Sequence, residues 1–130
     1  MRLKRDDPEH QEQCALFNWA RRLECRHPEL GLMFAIPNGG LRNKIVAAKL
    51  KKEGVKAGVL DIFLAVPRLF CGEDPIHGLF IEMKIKPNKP TKNQLYWMGI
   101  LEAEGYETAV CYSWIEAKDK IINYLKLEAK

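Results

Sequence analysis

A chain of 130 residues, 47% hydrophobic and 29% charged, suits one domain with a real core, and its formal charge of +4 permits a polyanionic partner without demonstrating one. Its four cysteines, Cys14, Cys25, Cys71 and Cys111, form no C-x-x-C pair, which argues against a zinc site or disulfide framework and fits free thiols in a reducing cytoplasm. The charged opening "MRLKRDDPEHQEQ" has no apolar stretch behind it and no run reaches membrane-spanning length, so the expected location is cytoplasmic, without export or membrane insertion.

In chain order, Asp7 and Pro8 read as cap and first turn of a helix running to about Arg26, ended by His27-Pro28 and Gly31. "LMFAI", residues 32–36, is a short buried strand, and "PNGG" turns the chain into a second helix over 41–53, stopped by Gly54. "VLDIFLAV", residues 59–66, is a second strand; the turn-rich residues 67–77 connect it, most economically as a hairpin, to a third strand within "GLFIEMKIKP". A third helix spans 91–104 and stops at Gly105. "ETAVCY" is the fourth strand, and Ser113 caps a last helix whose apolar stripe includes Trp114, Ile121 and Leu125. The order αβαββαβα predicts an α/β fold, a mixed sheet flanked by helices, with no internal repeat.

Polar residues at apolar positions mark the chemistry. Side chains alternate along a strand, so in residues 78–87 Glu82 and Lys84 project from one face while Ile81, Met83 and Ile85 project from the other. Either these charges line a cleft or the strand is a solvated sheet edge. Asp61 interrupts an otherwise apolar strand after a two-glycine approach; capping the preceding turn is its alternative role. On the first helix, Leu16, Ala20 and Leu23 define the buried line and Glu9 extends it, with Gln13 beside it and Glu12 about 50° off. A solvated first-turn acid is the alternative for Glu9. If neighbouring strands bring Asp61, Glu82 and Lys84 to one pocket, the carboxylates suit a hard cation, Mg²⁺ or Mn²⁺, with the Met83 carbonyl as a further oxygen ligand. A lysine beside them suits phosphodiester hydrolysis.

Asp61 followed by Glu82-Met83-Lys84 resembles the PD-(D/E)xK nuclease signature. Over nearly the whole chain, "EHQEQCALFNW", "IPNGGLRNK", "AAKLKKEGVKAGVLDIFLAVP", "GLFIEMK", "KPTKNQLYWMGILEAEGY" and "CYSWIEAKDKI" follow the order of stand-alone VRR-NUC (virus-type replication-repair nuclease) domains. The resemblance implies a restriction-endonuclease-like fold. It also implies metal ligation by Asp61, Glu82, Glu9 and the Met83 carbonyl, with Lys84 as catalytic lysine. Gln94 matches the glutamine on the helix after the motif, where helical projection sets it with Trp97, Met98 and Leu101 on the buried side, within reach of Lys84 or Glu82. One departure is Leu60, where the family has proline.

For DNA contact, the glycine turn of "PNGGLRNK" offers backbone amides at Gly39 and Gly40, with Asn38, Arg42 and Lys44 as donors. Lys49, Lys51, Lys52 and Lys56 form one basic cluster, and Lys86, Lys89 and Lys92 surround the exit from the third strand; solvated faces are the bland alternative. The expected protein is thus a metal-dependent DNA endonuclease, selective for structure rather than sequence. The resemblance adds branched DNA such as Holliday junctions as substrate and a homodimer as the working form. A noncatalytic DNA-binding module on the same fold is the alternative, and RNA cleavage would use the same ions.

Overall fold

The computed structural model describes residues 7–37, 44–69 and 72–127. Helix α1 (Pro8–Leu23) leads through a 3₁₀ turn (Pro28–Leu32) into β1 (Met33–Ala35). Then come α2 (Lys44–Lys52), β2 (Ile62–Leu64), β3 (Leu79–Met83), α3 (Lys92–Ala103), β4 (Glu107–Cys111) and α4 (Trp114–Leu125). This is the expected αβαββαβα order. The sheet runs β1-β2-β3-β4; the first two pairings are antiparallel and β3 pairs β4 in parallel, so the mixed sheet is as expected. An Arg68↔Ile76 bridge continues the β2–β3 hairpin. Asn38, Gly39, Gly40, Leu41, Arg42 and Cys71 lie outside the described residues.

The helix ends follow local chemistry. Asp7 accepts a hydrogen bond from the His10 amide with Pro8 in the first turn, Thr91 and Gln94 form a reciprocal capping box on α3, and Ser113 caps α4. Gly54 and Gly105, at φ +102° and +94°, close α2 and α3 with paired reverse hydrogen bonds, Val55 to Leu50 with Gly54 to Lys51, and Tyr106 to Leu101 with Gly105 to Glu102. Two boundaries differ from the sequence reading. α1 ends at Leu23, because the Arg26 and His27 amides both fold back onto the Leu23 carbonyl. β2 covers 62–64 rather than 59–66, for a reason that lies in Asp61 itself.

One sheet face carries Met33, Ile62, Leu64, Leu79, Ile81 and Met83, packed against Leu16, Trp19 and Ala20 of α1 and Ala117, Ile121 and Tyr124 of α4. Fully burying an aliphatic side chain of this size is worth about 1.5–3 kcal/mol, so this layer supplies the main driving force. The opposite face bears Phe34, Phe63 and Phe80 in register, and α3 packs over its β4 side. Cys111 lies in the core, where burial pushes its thiol up to about 11, while Cys14 and Cys25 are exposed free thiols. Among the described residues no helix is long and apolar enough to cross a membrane.

α1 is tied to α4 by a side chain. Glu12 Oε1 accepts the Trp114 amide at 3.1 Å, so the carboxylate that projects off the buried line of α1 sits on the positive end of α4. Glu12→Ala should lower stability by about 1 kcal/mol, read as a reduced urea midpoint with an unchanged slope; an unaltered midpoint would show that the tie carries no energy.

Candidate active site

Asp61 departs from the ladder in an informative way. Ile62 pairs with Ile81, so the preceding residue falls opposite Glu82 on the same face, where directly opposed Cβ atoms lie about 4.5–5.5 Å apart. Its backbone still serves β1, accepting the Ile36 amide at 2.7 Å. Its carboxylate, however, accepts the Met83 amide at 2.9 Å, supplying the acceptor that the next backbone rung would have provided. The side chain therefore ends β2. Leu60, standing where the family has proline, is fully buried. Because the Lys84 amide turns to Cys111 in β4, Met83 directs its amide and its carbonyl toward the Asp61 side, as the proposed oxygen ligand requires.

The turn before Asp61 is clamped by α3. Gly58 has φ +85°, and a Cβ there would collide with the Asn93 side chain. Asn93 Nδ2 and Trp97 Nε1 both donate to the Ala57 carbonyl, at 2.7 and 3.2 Å. Neither contact is foreshadowed in sequence beyond the two-glycine approach itself.

Glu82 lies on β3 between β2 and β4 and is 1% exposed, which decides for the cleft over the solvated edge. Gln94 meets it one turn into α3. The Gln94 Oε1 atom accepts the Thr91 amide at 2.8 Å, which obliges its amino group to face the other way, and Nε2 donates to Glu82 Oε2 at 2.7 Å. Lys84 Nζ stands 3.7 Å from the same oxygen. Glu82 Oε1 is buried without a hydrogen-bond partner. Burial first, then the Asp61 carboxylate, push the Glu82 carboxyl up to about 8 against the pull of Lys84. Burial also raises Glu9, which feels Lys84 and Asp61 in turn, so the four charged groups from α1, β2 and β3 act on one another.

The structure thus gathers Glu9, Asp61, Glu82, Lys84, Gln94 and the Met83 backbone. Among the described residues no three His, Cys, Asp or Glu side chains form a ready-made metal cage. Asp61 Oδ2 accepts the Met83 amide and Glu82 Oε2 accepts the Gln94 carboxamide, both neutral donors. An orphaned buried carboxyl oxygen facing a second carboxylate fits a hard cation that takes one or two carboxylates and keeps water on its other positions. Lys86, Lys89 and Lys92 are exposed beyond the strand, Lys86 lying 5.7 Å from the Tyr112 ring, and Lys44 is exposed at the start of α2.

No protein-family model matches the chain, and no curated protein matches its sequence. A solved structure described as a VRR_NUC domain protein matches with a TM-score of 0.75 and 28% identity, over 95% of this chain and 92% of that one. Over nearly its whole length the chain is thus similar to a VRR-NUC domain. The mixed sheet and its flanking helices have the fold of that structure.

The raised Glu82 fixes the sign of a pH effect. Without a cation, native Glu82 keeps its proton to about pH 8, while the unfolded chain releases it near 4.5, so this group's contribution to stability falls as pH rises between those values. Glu82→Gln should therefore be more stable than the parent protein at pH 8, by on the order of a few kcal/mol, with the advantage gone near pH 4.5. Thermal melts in EDTA across that range check this; parallel pH profiles for the two proteins would contradict it.

Proposed function

We propose that this chain is a divalent-metal-dependent DNA endonuclease that hydrolyses phosphodiester bonds, selective for branched DNA such as Holliday junctions and working as a homodimer. The observation that carries the reading is the buried Glu82 carboxyl, with one oxygen unpartnered, facing Asp61 across a strand pair and standing beside Lys84.

Asp61, Glu82, Glu9 and the Met83 carbonyl are the groups that would hold Mg²⁺ or Mn²⁺. Bound there, such a cation supplies Lewis-acid polarisation of a phosphodiester and eases deprotonation of water near neutral pH. Lys84 is mostly buried, with its side chain 12% exposed, so its ammonium acts in a poorly solvated setting. There it stabilises negative charge growing on the phosphate oxygens and orients the attacking water. Gln94 is a positioning residue: held by Thr91, it fixes the Glu82 carboxyl that would otherwise swing toward Lys84. Lys44, Lys86, Lys89 and Lys92 are suited to tracking phosphates without reading bases, with Asn38, Gly39, Gly40 and Arg42 as the further contacts that the sequence suggests. The exposed Leu95, Tyr96 and Ile100 leave an apolar outer side on α3, a surface suited to a second copy. Against a noncatalytic module stands the expense of burying the Glu82 carboxyl beside a second carboxylate.

The test is incubation of the protein with Mg²⁺ or Mn²⁺ and four-way, flap and linear DNA, beside Lys84→Ala. Cleavage is expected on branched substrates, reduced about 100- to 1,000-fold by the substitution with binding retained. Intact DNA in every wild-type reaction would favour the binding module, and cleavage indifferent to Lys84→Ala would remove that lysine from the mechanism.

A further inference from the structure

We infer that one turn of α3 sets the spacing of the two acidic strands, which makes Asn93 and Trp97 positioning residues that favour a small octahedral cation, Mg²⁺, over Ca²⁺. The inference rests on the metal reading above and names the residues that would give that site its selectivity.

The need for an outside brace follows from the ladder. β2 and β3 pair in register as far as Ile62↔Ile81, and Asp61 and Glu82 come one step beyond it. There the Asp61 carboxylate takes the Met83 amide at 2.9 Å in place of a backbone acceptor. A side chain turns about its own torsions, so this link fixes the strand separation less firmly than a backbone rung would.

α3 spans that gap. Asn93, Gln94 and Trp97 fall within about 100° of arc on the helix, so their donors reach out on one side. Gln94 donates to Glu82 on β3 at 2.7 Å, while Asn93 and Trp97 donate to the Ala57 carbonyl ahead of β2 at 2.7 and 3.2 Å. Gln94 is itself held by the Thr91 amide at 2.8 Å, so both grips start from a capped first turn. Between Ala57 and Asp61 stand only Gly58, Val59 and Leu60, and Leu60 is fully buried, which leaves little slack between the clamp and the carboxylate. Gly58, at φ +85°, admits Asn93 to the turn, since a Cβ there would come within 2.4 Å of the side-chain nitrogen. Spacing then decides which cation is favoured. Mg²⁺ requires near-ideal octahedral oxygens at about 2.0–2.1 Å, whereas Ca²⁺ accepts about 6–8 oxygens at about 2.3–2.6 Å in flexible arrangements. Loosening the brace lets the acidic strands part and costs the smaller ion more than the larger.

Amide hydrogen exchange of the full chain in EDTA reads the brace without any cation. The variants are Asn93→Ala and Trp97→Phe, the second of which removes the indole N–H and keeps a ring. Each should speed exchange of the Met83 amide, which is bonded to Asp61, about 10-fold more than that of the Ile121 amide in the core helix α4. Equal acceleration at both amides would reduce Asn93 and Trp97 to general stability and overturn the inference. Calorimetric titration at pH 7 then reads the cation: Mg²⁺ affinity should fall about 10-fold in each variant, and Ca²⁺ affinity by less than about twofold. Equal losses for the two ions, or full Mg²⁺ affinity in both variants, would sink the selectivity and spare the metal site. A parent protein that binds neither ion would sink the metal reading and the selectivity with it, while the Met83 comparison would still decide whether α3 places Asp61.

Discussion

The arrangement turns on one buried acid. Glu82 sits mid-sheet with a neutral amide on one oxygen and nothing on the other, beside a second carboxylate. A buried ionised carboxylate without compensation costs several kcal/mol, and proteins avoid the penalty by keeping the group protonated or by pairing it. Lys84, at 3.7 Å, offsets only part of it. Without a cation the Glu82 carboxyl meets that penalty by keeping its proton, and the divalent cation proposed above would relieve it directly.

The surroundings of Glu82 explain how that arrangement survives folding. α3 holds two strands at once: Gln94 grips Glu82, and one turn's worth of neighbours, Asn93 and Trp97, grip the Ala57 carbonyl just before Asp61. α1 is tied through Glu12 to the start of α4, and so brings Glu9 to the same end of the sheet. The apolar layer formed by α1, α4 and the sheet anchors these ties. The geometry around Glu82 is thus held in part by residues that lie outside the candidate site.

Much of this was readable from local periodicity. Alternation on a strand sets Glu82 and Lys84 apart from Ile81 and Met83, and helical projection sets Gln94 inward; both needed no long-range information. The helix caps at Asp7, Thr91 and Ser113 are local as well. What escaped depended on distant partners. Glu12 reads as a weak inward acid until its partner Trp114, about a hundred residues on, is known to begin α4 against it. Asn93 reads as an ordinary first-turn residue, because nothing nearby announces the Ala57 carbonyl. The shortening of β2 escaped because propensity cannot foresee that a side chain will take over a backbone rung. Phe34, plausible as a buried strand residue, is exposed because β1 is the sheet edge.

Calorimetric titration of Mn²⁺ into the full chain at pH 7, in two buffers of different ionisation enthalpy, tests the central claim most directly. One site per chain is predicted, with proton release on binding as Glu82 gives up its proton, and Asp61→Asn should abolish the site. Absence of binding, or binding that persists unchanged in both Asp61→Asn and Glu82→Gln, would contradict the account.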